Sequence, residues 1–422
     1  MREMKDSGFE WIGEIPVNWE VDKLKFHLKR NEPRNPGDTV VLSLYRELGV
    51  IPKDSRDDNH NVTSEDTSKY KYVQPGDFVI NKMKAWQGSV AVSEYEGIVS
   101  PAYFIYKFTD DAFYRRYFHY LLRSCYKDEF MRLSGGIRVG QWDLPSVALD
   151  NTAVIIPPMK EQKSIAAFLD VKCAEIDALT ADIQTQIDTL EQYKRSVITE
   201  AVTKGLNPDV EMKDSGTPWC TLIPIHWKYA NPKALFTQRL DRAYPGDKQL
   251  TASQEYGVIY QDEYMELTGT KIVTVMKDFS ILKHVEPNDF VISMRSFQGG
   301  LEYSERRGSI SSAYVMLIPN NEYVYPPFYR WFFKSSKYIN AIQSTSNLVR
   351  DGQAMRYANF AQVPLFIIPL DEQKQISEYL DEKVRKIDEI LKSKKSQLEI
   401  LAEYKKSLIY EYVTGKKEVP AI

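Results

Sequence analysis

Cysteine is scarce. Three residues in 422, Cys125, Cys173 and Cys220, are too few and too scattered for a disulfide framework or a zinc site. They fit a reducing compartment as buried or inert thiols, so a cytoplasmic protein is expected. No apolar run approaches the ~20 residues that a membrane helix needs. The opening residues, Met1-Arg-Glu-Met-Lys-Asp-Ser-Gly8, lack the apolar stretch of a signal peptide, and no membrane contact is expected. Histidine is also sparse: His27, His60, His119, His226 and His284 show no metal-ligand spacing. Neither a GxxxxGK[ST] nor a GxGxxG phosphate loop occurs, and nothing marks any two carboxylates as a catalytic dyad. No enzyme is expected in this chain, and no cofactor or metal bound by it. An excess of one charge is missing as well. Lys and Arg number 55 against 58 Asp and Glu, a net charge of −3, so any phosphate binding must come from local basic patches.

What is present is an ordinary globular composition, 43% hydrophobic, 12% aromatic and 27% charged, which excludes a disordered chain. The length exceeds the ~250–300 residues at which single cores stop growing, so at least two domains are expected. Self-similarity then organises the chain. MKDSG opens at Met4 and again at Met212; Trp11 matches Trp219, Ile15-Pro16 matches Ile223-Pro224, and Trp19 matches Trp227. GVI recurs at Gly49 and Gly257, PGDFVI at Pro75 is answered by PNDFVI at Pro287, Gln87-Gly88 by Gln298-Gly299, and Gln162-Lys163 by Gln373-Lys374. So many words in one order are not chance, and the chain is two copies of one unit.

Each copy begins with an aromatic and β-branched region punctuated by turn words. Short runs at 77–80, 103–106 and 154–156 predict strands, and 112–133 predicts one helix. Each copy ends with a long helical pattern. From Glu161 to Thr203 apolar residues fall at Ile165, Leu169, Ile176, Leu179, Ile183, Ile187, Leu190, Val197 and Ala201. The second copy places Ile376, Leu380, Ile387, Ile390, Leu398, Leu401, Leu408 and Tyr412 in the same rhythm, with Lys394 where the first has Ile183. Steps of three, four and seven are a coiled-coil seam.

Such a helix is about 65 Å long at ~1.5 Å per residue, longer than the adjoining globule is wide, so it needs a partner of equal length. The other copy's helix is the candidate, and chain order makes the pair antiparallel. The plainer alternative is that each helix packs only on its own globule. The fold expected is α+β: two mixed α/β globules, at 1–158 and 206–369, separated by antiparallel coiled-coil helices at 159–205 and 370–422, with pseudo-two-fold internal symmetry.

Basic, aromatic and amide residues cluster at equivalent places in the two globules. Lys82, Lys84, Trp86 and Gln87 follow the strand at 77–80, and Arg295, Phe297 and Gln298 follow its counterpart. A second pair of loops carries Arg138 and Gln141 in one copy and Arg350 and Gln353 in the other. Arginine and lysine bind phosphates or guanine edges, and glutamine forks onto adenine, so these residues are candidate DNA contacts. A solvated turn is the plainer reading of each alone. Duplication on two globules strengthens the DNA reading.

The chain resembles the DNA-specificity subunit of type I restriction–modification enzymes. The resemblance rests on Ile156-Pro-Pro-Met-Lys-Glu-Gln162 with Ile165, Leu169-Asp170 and Ile176-Asp177, then Tyr193-Lys-Arg-Ser196 and Thr199-Glu-Ala-Val-Thr203. The words return at Ile368-Pro369, Glu372-Gln373, Ile376, Leu380-Asp381, Ile387-Asp388, Tyr404-Lys-Lys-Ser407 and Val413-Thr-Gly415. Asp6-Ser-Gly8, Trp11-Ile-Gly-Glu-Ile-Pro16 and Trp19 resemble the family's opening; Leu370-Asp371 departs from Pro158-Met-Lys160. The resemblance implies two target-recognition domains that read a bipartite, asymmetric site in double-stranded DNA. It implies assembly with two modification subunits, which use S-adenosylmethionine to methylate adenine. It also implies restriction subunits that use ATP and magnesium to translocate and cut. A bivalent protein-interaction scaffold without DNA readout is the competing function.

Overall fold

The computed structural model describes residues 2–420 apart from 38, 47, 56–62, 65, 137–141, 273, 275–278, 294–295 and 346–354. It divides into two units, Met1–Ile183 with Ser396–Ile422, and Gln184–Lys395. In the first unit, β1 (Leu28–Arg30), β2 (Phe78–Asn81), β3 (Val90–Val92) and β4 (Tyr103–Phe108) form an antiparallel sheet of order β1-β4-β2-β3. Aromatic and β-branched residues suit such a pleated, doubly covered surface. Because side chains alternate across a strand, β2 feeds two cores. Phe78 and Ile80 face one shared with helices, and Val79 faces a smaller one with Leu42, Leu44 and Val50 of the hairpin Leu42–Tyr45/Gly49–Pro52.

The single helix expected over 112–133 is two, α1 (Arg115–Cys125) and α2 (Lys127–Leu133). The break falls at Tyr126, whose buried ring meets Trp11 edge-on at 4.7 Å and lies 5.9 Å from Phe130. Burying that ring decides where the helix turns. The long helix α3 (Met159–Lys204) follows.

The second unit repeats the plan. Strands β5 (Phe236–Arg239), β6 (Phe290–Ile292), β7 (Glu302–Tyr303) and β8 (Val315–Pro319) take the order β5-β8-β6-β7, followed by α4 (Pro326–Phe332), α5 (Ser336–Ser344) and the long α6 (Leu370–Val413). Phe290 and Ile292 again face a helical core while Val291 faces the hairpin residues Leu250 and Val258. The turn before β2 has Gly76 at φ +90°, and the turn before β6 has Asn288 at φ +75°, the one non-glycine with positive φ among the described residues. Asparagine tolerates that left-handed backbone best after glycine, which explains why PGD can become PND.

The recurring words are the fastenings of this scaffold. Gln162 is fully buried; its Oε1 accepts from Tyr114 N at 2.7 Å, and its Nε2 donates to Ala112 O and Pro157 O at 2.7 and 2.8 Å. Gln373 makes the same three bonds, each 2.8 Å, with Tyr325 N, Tyr323 O and Ile368 O. Trp19 Nε1 donates to Glu161 and Trp227 Nε1 to Glu372, both at 3.0 Å. Asp170 accepts from Arg116 and Tyr120 at 2.7 Å, and Asp381 from Arg330 and, at 2.8 Å, Trp331. Each fastening ties the start of a long helix to its own globule.

The ends of the long helices also enter these cores. In the first unit Leu408, Tyr412 and Val413 join Ile165, Ala166, Leu169 and Ile176, and Tyr117 Oη donates to Val413 O at 2.8 Å. Lys405 Nζ lies 2.6 Å from Asp177, and the rings of Phe168 and Tyr412 are 4.5 Å apart, so the pairing is antiparallel. In the second unit Val197, Ile198, Ala201 and Val202 join Ile376, Leu380 and Val384, with Lys194 Nζ 2.6 Å from Asp388. The helices therefore pack on a globule and on each other. The last turns close against glycines at φ +76° (Gly205) and +71° (Gly415); a Cβ on Gly415 would stand 2.5 Å from Pro16 and 2.9 Å from Trp19.

Of the expected seam, Ile165, Leu169, Ile176, Ile187, Ile376, Leu380 and Ile387 are buried and Leu190, Leu398 and Leu401 half-buried. Leu179 and Ile390 are exposed, 48% and 46%, and Val384 and Leu391 are buried instead. The buried residues of α6 follow one another at steps of three and four, Ile376, Leu380, Val384, Ile387 and Leu391, which makes one stripe at 3.6 residues per turn, and Ile390 falls to one side of it. Lys394, where the first copy has Ile183, donates to Gln186. Burial pushes the Cys125 thiol up to about 12 and raises those of Cys173 and Cys220, which leaves all three poor nucleophiles.

Candidate nucleic-acid interface

In the first unit the two loops singled out in the sequence meet. After β2 the chain turns sharply, with Asn81 Oδ1 accepting from Met83 N at 3.2 Å, and a 3-10 turn follows over Ala85–Gln87. Trp86 Nε1 donates to Met83 O at 3.0 Å, fixing the indole against the loop. The second loop is pinched by a bridge between Gly135 and Asp143, and Leu144 N donates to Lys82 O at 3.0 Å. Lys82 Nζ lies 2.8 Å from Asp143 Oδ2, and the rings of Trp86 and Trp142 are 5.5 Å apart. Lys82 is thus engaged by a carboxylate in a half-buried pair. Lys84 is exposed and forms no ion pair among the described residues. Arg138 and Gln141 lie outside the described residues.

Residues that the sequence reading missed, Arg30, Lys71 and Arg46 among them, join these loops in two groups. Arg30, Lys71 and Lys82 surround the Phe104 ring at 4.4, 5.8 and 5.9 Å, with Glu32 bonded to Arg30 at 2.7 Å and to Lys71 at 3.0 Å. Burial works against the Glu32 carboxylate, but the hydrogen bonds from Arg30 and Lys71 outweigh it and hold its pKa below the usual range. The other is the hairpin tip. Arg46, exposed, donates to Gln87 Oε1, and its carbonyl accepts from Arg123 of α1. No signal in the sequence links Arg46 with Gln87, because folding alone brings those segments together.

The hairpin rests on α1 through His119 and Arg123, which would meet a Cβ on Gly49 at 3.4 and 3.2 Å. Burial, then Arg123 and Arg116, push the His119 pKa down to about 3. The folded unit therefore refuses a proton that the unfolded chain accepts near pH 6.5. Stability contributed this way is complete above that pH and is lost as pH falls toward 3, by up to about 1.4 kcal/mol per pH unit. His119→Gln should flatten the acid side of the stability profile. Denaturant midpoints compared at pH 7.5 and 5 test this; equal losses in both proteins would refute it.

In the second unit the loop after β6 forms a helical turn over Ser296–Gly299, with Ser293 N donating to Ser296 Oγ at 2.8 Å and Gln298 exposed. Phe297 belongs to that turn. Arg295, Arg350 and Gln353 lie outside the described residues. The hairpin tip reaches this loop too: a Cβ on Gly299 would stand 2.5 Å from Gln254 Cδ. Among the described residues no group of three or more His, Cys, Asp or Glu could hold a metal, and no helix is long and apolar enough to cross a membrane.

Residues 16–189 match the family model of the type I restriction modification DNA specificity domain. The chain is similar over nearly its whole length to type I restriction–modification specificity subunits. It is 24% identical over 431 residues to the putative type I restriction enzyme MjaX specificity subunit of Methanocaldococcus jannaschii, covering 97% of one and 96% of the other. It is 22% identical over 320 residues to the type I restriction enzyme EcoBI specificity subunit of Escherichia coli, covering 73% and 66%. Two solved structures share the fold. A chain from a type I R-M system studied for its assembly and conformational transition gives a TM-score of 0.70 at 12% identity, covering 96% and 99%. The HsdS subunit from Thermoanaerobacter tengcongensis gives 0.52 at 13%, covering 96% and 98%.

Proposed function

We propose that this chain supplies the DNA sequence specificity of a type I restriction–modification complex, each unit reading its own few base pairs of a bipartite, asymmetric site. One observation carries this reading. The Trp–Glu and buried-glutamine fastenings recur in the two units, while the loops they hold differ, Lys84-Ala-Trp-Gln87 in one and Arg295-Ser-Phe-Gln298 in the other. A duplicated frame with unlike tips suits two readers of unlike half-sites. The tips of the first unit combine cations, an amide and paired indoles, which are groups suited to phosphates and base edges.

In this reading the chain is not a catalyst and binds no cofactor. Two modification subunits methylate adenine with S-adenosylmethionine, and restriction subunits use ATP and magnesium to move and cut DNA. Methylation mapping of DNA exposed to the chain with its methyltransferase partner tests the proposal. Two unlike half-sites are expected, and a continuous or palindromic motif would overturn the two-reader arrangement. The net charge of −3 is what favours the rival, a bivalent protein-interaction scaffold. A salt titration of DNA binding by the complex separates the two, since a scaffold shows no specific duplex binding at any salt.

Lys84, exposed at the tip of the first loop, is expected to contact a phosphate. Lys84→Ala should then weaken binding to all sequences alike and reduce the slope of log K against log salt by about one unit. An unchanged slope would remove Lys84 from the interface.

A further inference from the structure

The hairpins that cover the second face of each sheet are built alike. Tyr45 pairs with Gly49 and Ser253 with Gly257, leaving the tips 46–48 and 254–256. Gly49 and Gly257 both have positive φ, +78° and +67°, so the two tips turn the same way. Each tip is laid against the loop that follows the central strand. The first residue of the tip makes the contact in both units, and its identity differs: Arg46 on Gln87 in the first, Gln254 on Gly299 in the second.

From this we infer that Arg46 and Gln254 are equivalent specificity-determining residues, Arg46 reading a guanine in one half-site and Gln254 an adenine in the other. The inference rests on the DNA-reading function proposed above and adds two residues that no recurring word marks. Three features support it. Both side chains are exposed at hairpin tips and contact the loop that presents Gln87 or Gln298. The backbone beneath Arg46 is held by Arg123 on α1, so the guanidinium starts from a fixed point, and Gln87 Oε1 accepts from Nη2. That leaves the rest of the guanidinium fork for the O6 and N7 acceptors of guanine, while a glutamine amide matches the donor and acceptor of adenine.

The contact also shifts by one residue along the recurring Gln-Gly pair of the loop. Where the tip residue is the long arginine, the loop offers a glutamine that buttresses it. Where the tip residue is glutamine, it meets Gly299, the residue after Gln298, and the amide lies directly on the backbone. A purely structural contact between hairpin and loop would be expected to recur unchanged, as Gln162 and Gln373 do. Exchange of the tip residue, Arg46 for Gln254, against a Gln-Gly pair that recurs as Gln87-Gly88 and Gln298-Gly299, fits two readers set to different bases.

The test uses the full chain assembled with its methyltransferase subunits, and methylation is mapped by sequencing for wild type, Arg46→Ala and Gln254→Ala. Arg46 and Gln254 are exposed, and unchanged thermal unfolding confirms that the variants are folded. Arg46→Ala should relax one guanine position of one half-site, with about 10- to 100-fold lost discrimination there, and leave the other half-site intact. Gln254→Ala should relax one adenine position of the opposite half-site. Gln87→Ala should weaken the same guanine position as Arg46→Ala but less severely, because it acts through Arg46. A motif unchanged in the variants, or binding weakened equally for every sequence, would overturn the assignment while leaving the DNA-reading function in place. Failure of the wild-type complex to show any sequence preference would instead overturn that function.

Discussion

Gln162→Leu is expected to destabilise the first unit by about 3–4 kcal/mol, and Gln373→Leu the second by the same amount. Leucine is close to glutamine in size, so the loss is of bonds more than of volume. Each amide side chain is fully buried and makes three hydrogen bonds, joining the start of a long helix to the segment before α1 or α4 and to the strand exit behind it. Leucine leaves a backbone N–H and two carbonyls without their partner, each a loss of about 1–3 kcal/mol where water cannot replace it, less at the partly wet bonds. Hydrogen exchange resolved by unit is the suitable readout, because a chain of two units need not unfold in one step. Gln162→Leu should speed exchange in 1–183 and Gln373→Leu in 184–395. Wild-type protection in either would show that water takes over the bonds.

Aspartate placed at two positions of α6 should destabilise different units. Ile376→Asp, at a fully buried site among Leu380, Val384 and the second unit's rings, should loosen that unit. Leu408→Asp lies on the same helix but packs with Tyr117, Phe118 and Leu169 in the first unit's core. It should loosen the first unit, almost the whole chain away in sequence. Burying a carboxylate without a partner costs about 2–4 kcal/mol in each case. The contrast tests the helix exchange itself. If Leu408→Asp disturbed only the second unit, α6 would pack on its own globule alone. Leu190 and Leu401, half-buried, would give smaller effects.

Much of the frame was legible in the residues themselves. Trp19 and Trp227, Glu161 and Glu372, and Gln162 and Gln373 recur in order because each fills a position where only one donor–acceptor pattern closes the bonds, so duplication leaves them unchanged. The helical rhythm of 161–203 and 376–412 was visible for a similar reason: a long helix repeats the same burial requirement every turn. Local periodicity reports local geometry. It also has limits, since Leu179 and Ile390 satisfy the rhythm yet face solvent, and Tyr126 breaks a helix whose pattern runs straight through it.

The candidate interface was legible only in part. Lys84, Trp86 and Gln87 stand on one short loop, and their proximity is a property of sequence. Their union with Trp142, Arg46, Arg30 and Lys71 is not. Those side chains come from a second loop, a hairpin tip and two other strands, and hydrogen-bonded sheet pairing and buried side chains on both faces of β2 bring them together. Sequence by itself determined the duplication, the helices and the fastening residues, because each of those depends on neighbours a few residues away or on a copy of itself. Tertiary structure decided which unlike residues share a surface, because contacts between distant segments follow from packing of the whole core and leave no periodic trace in the chain.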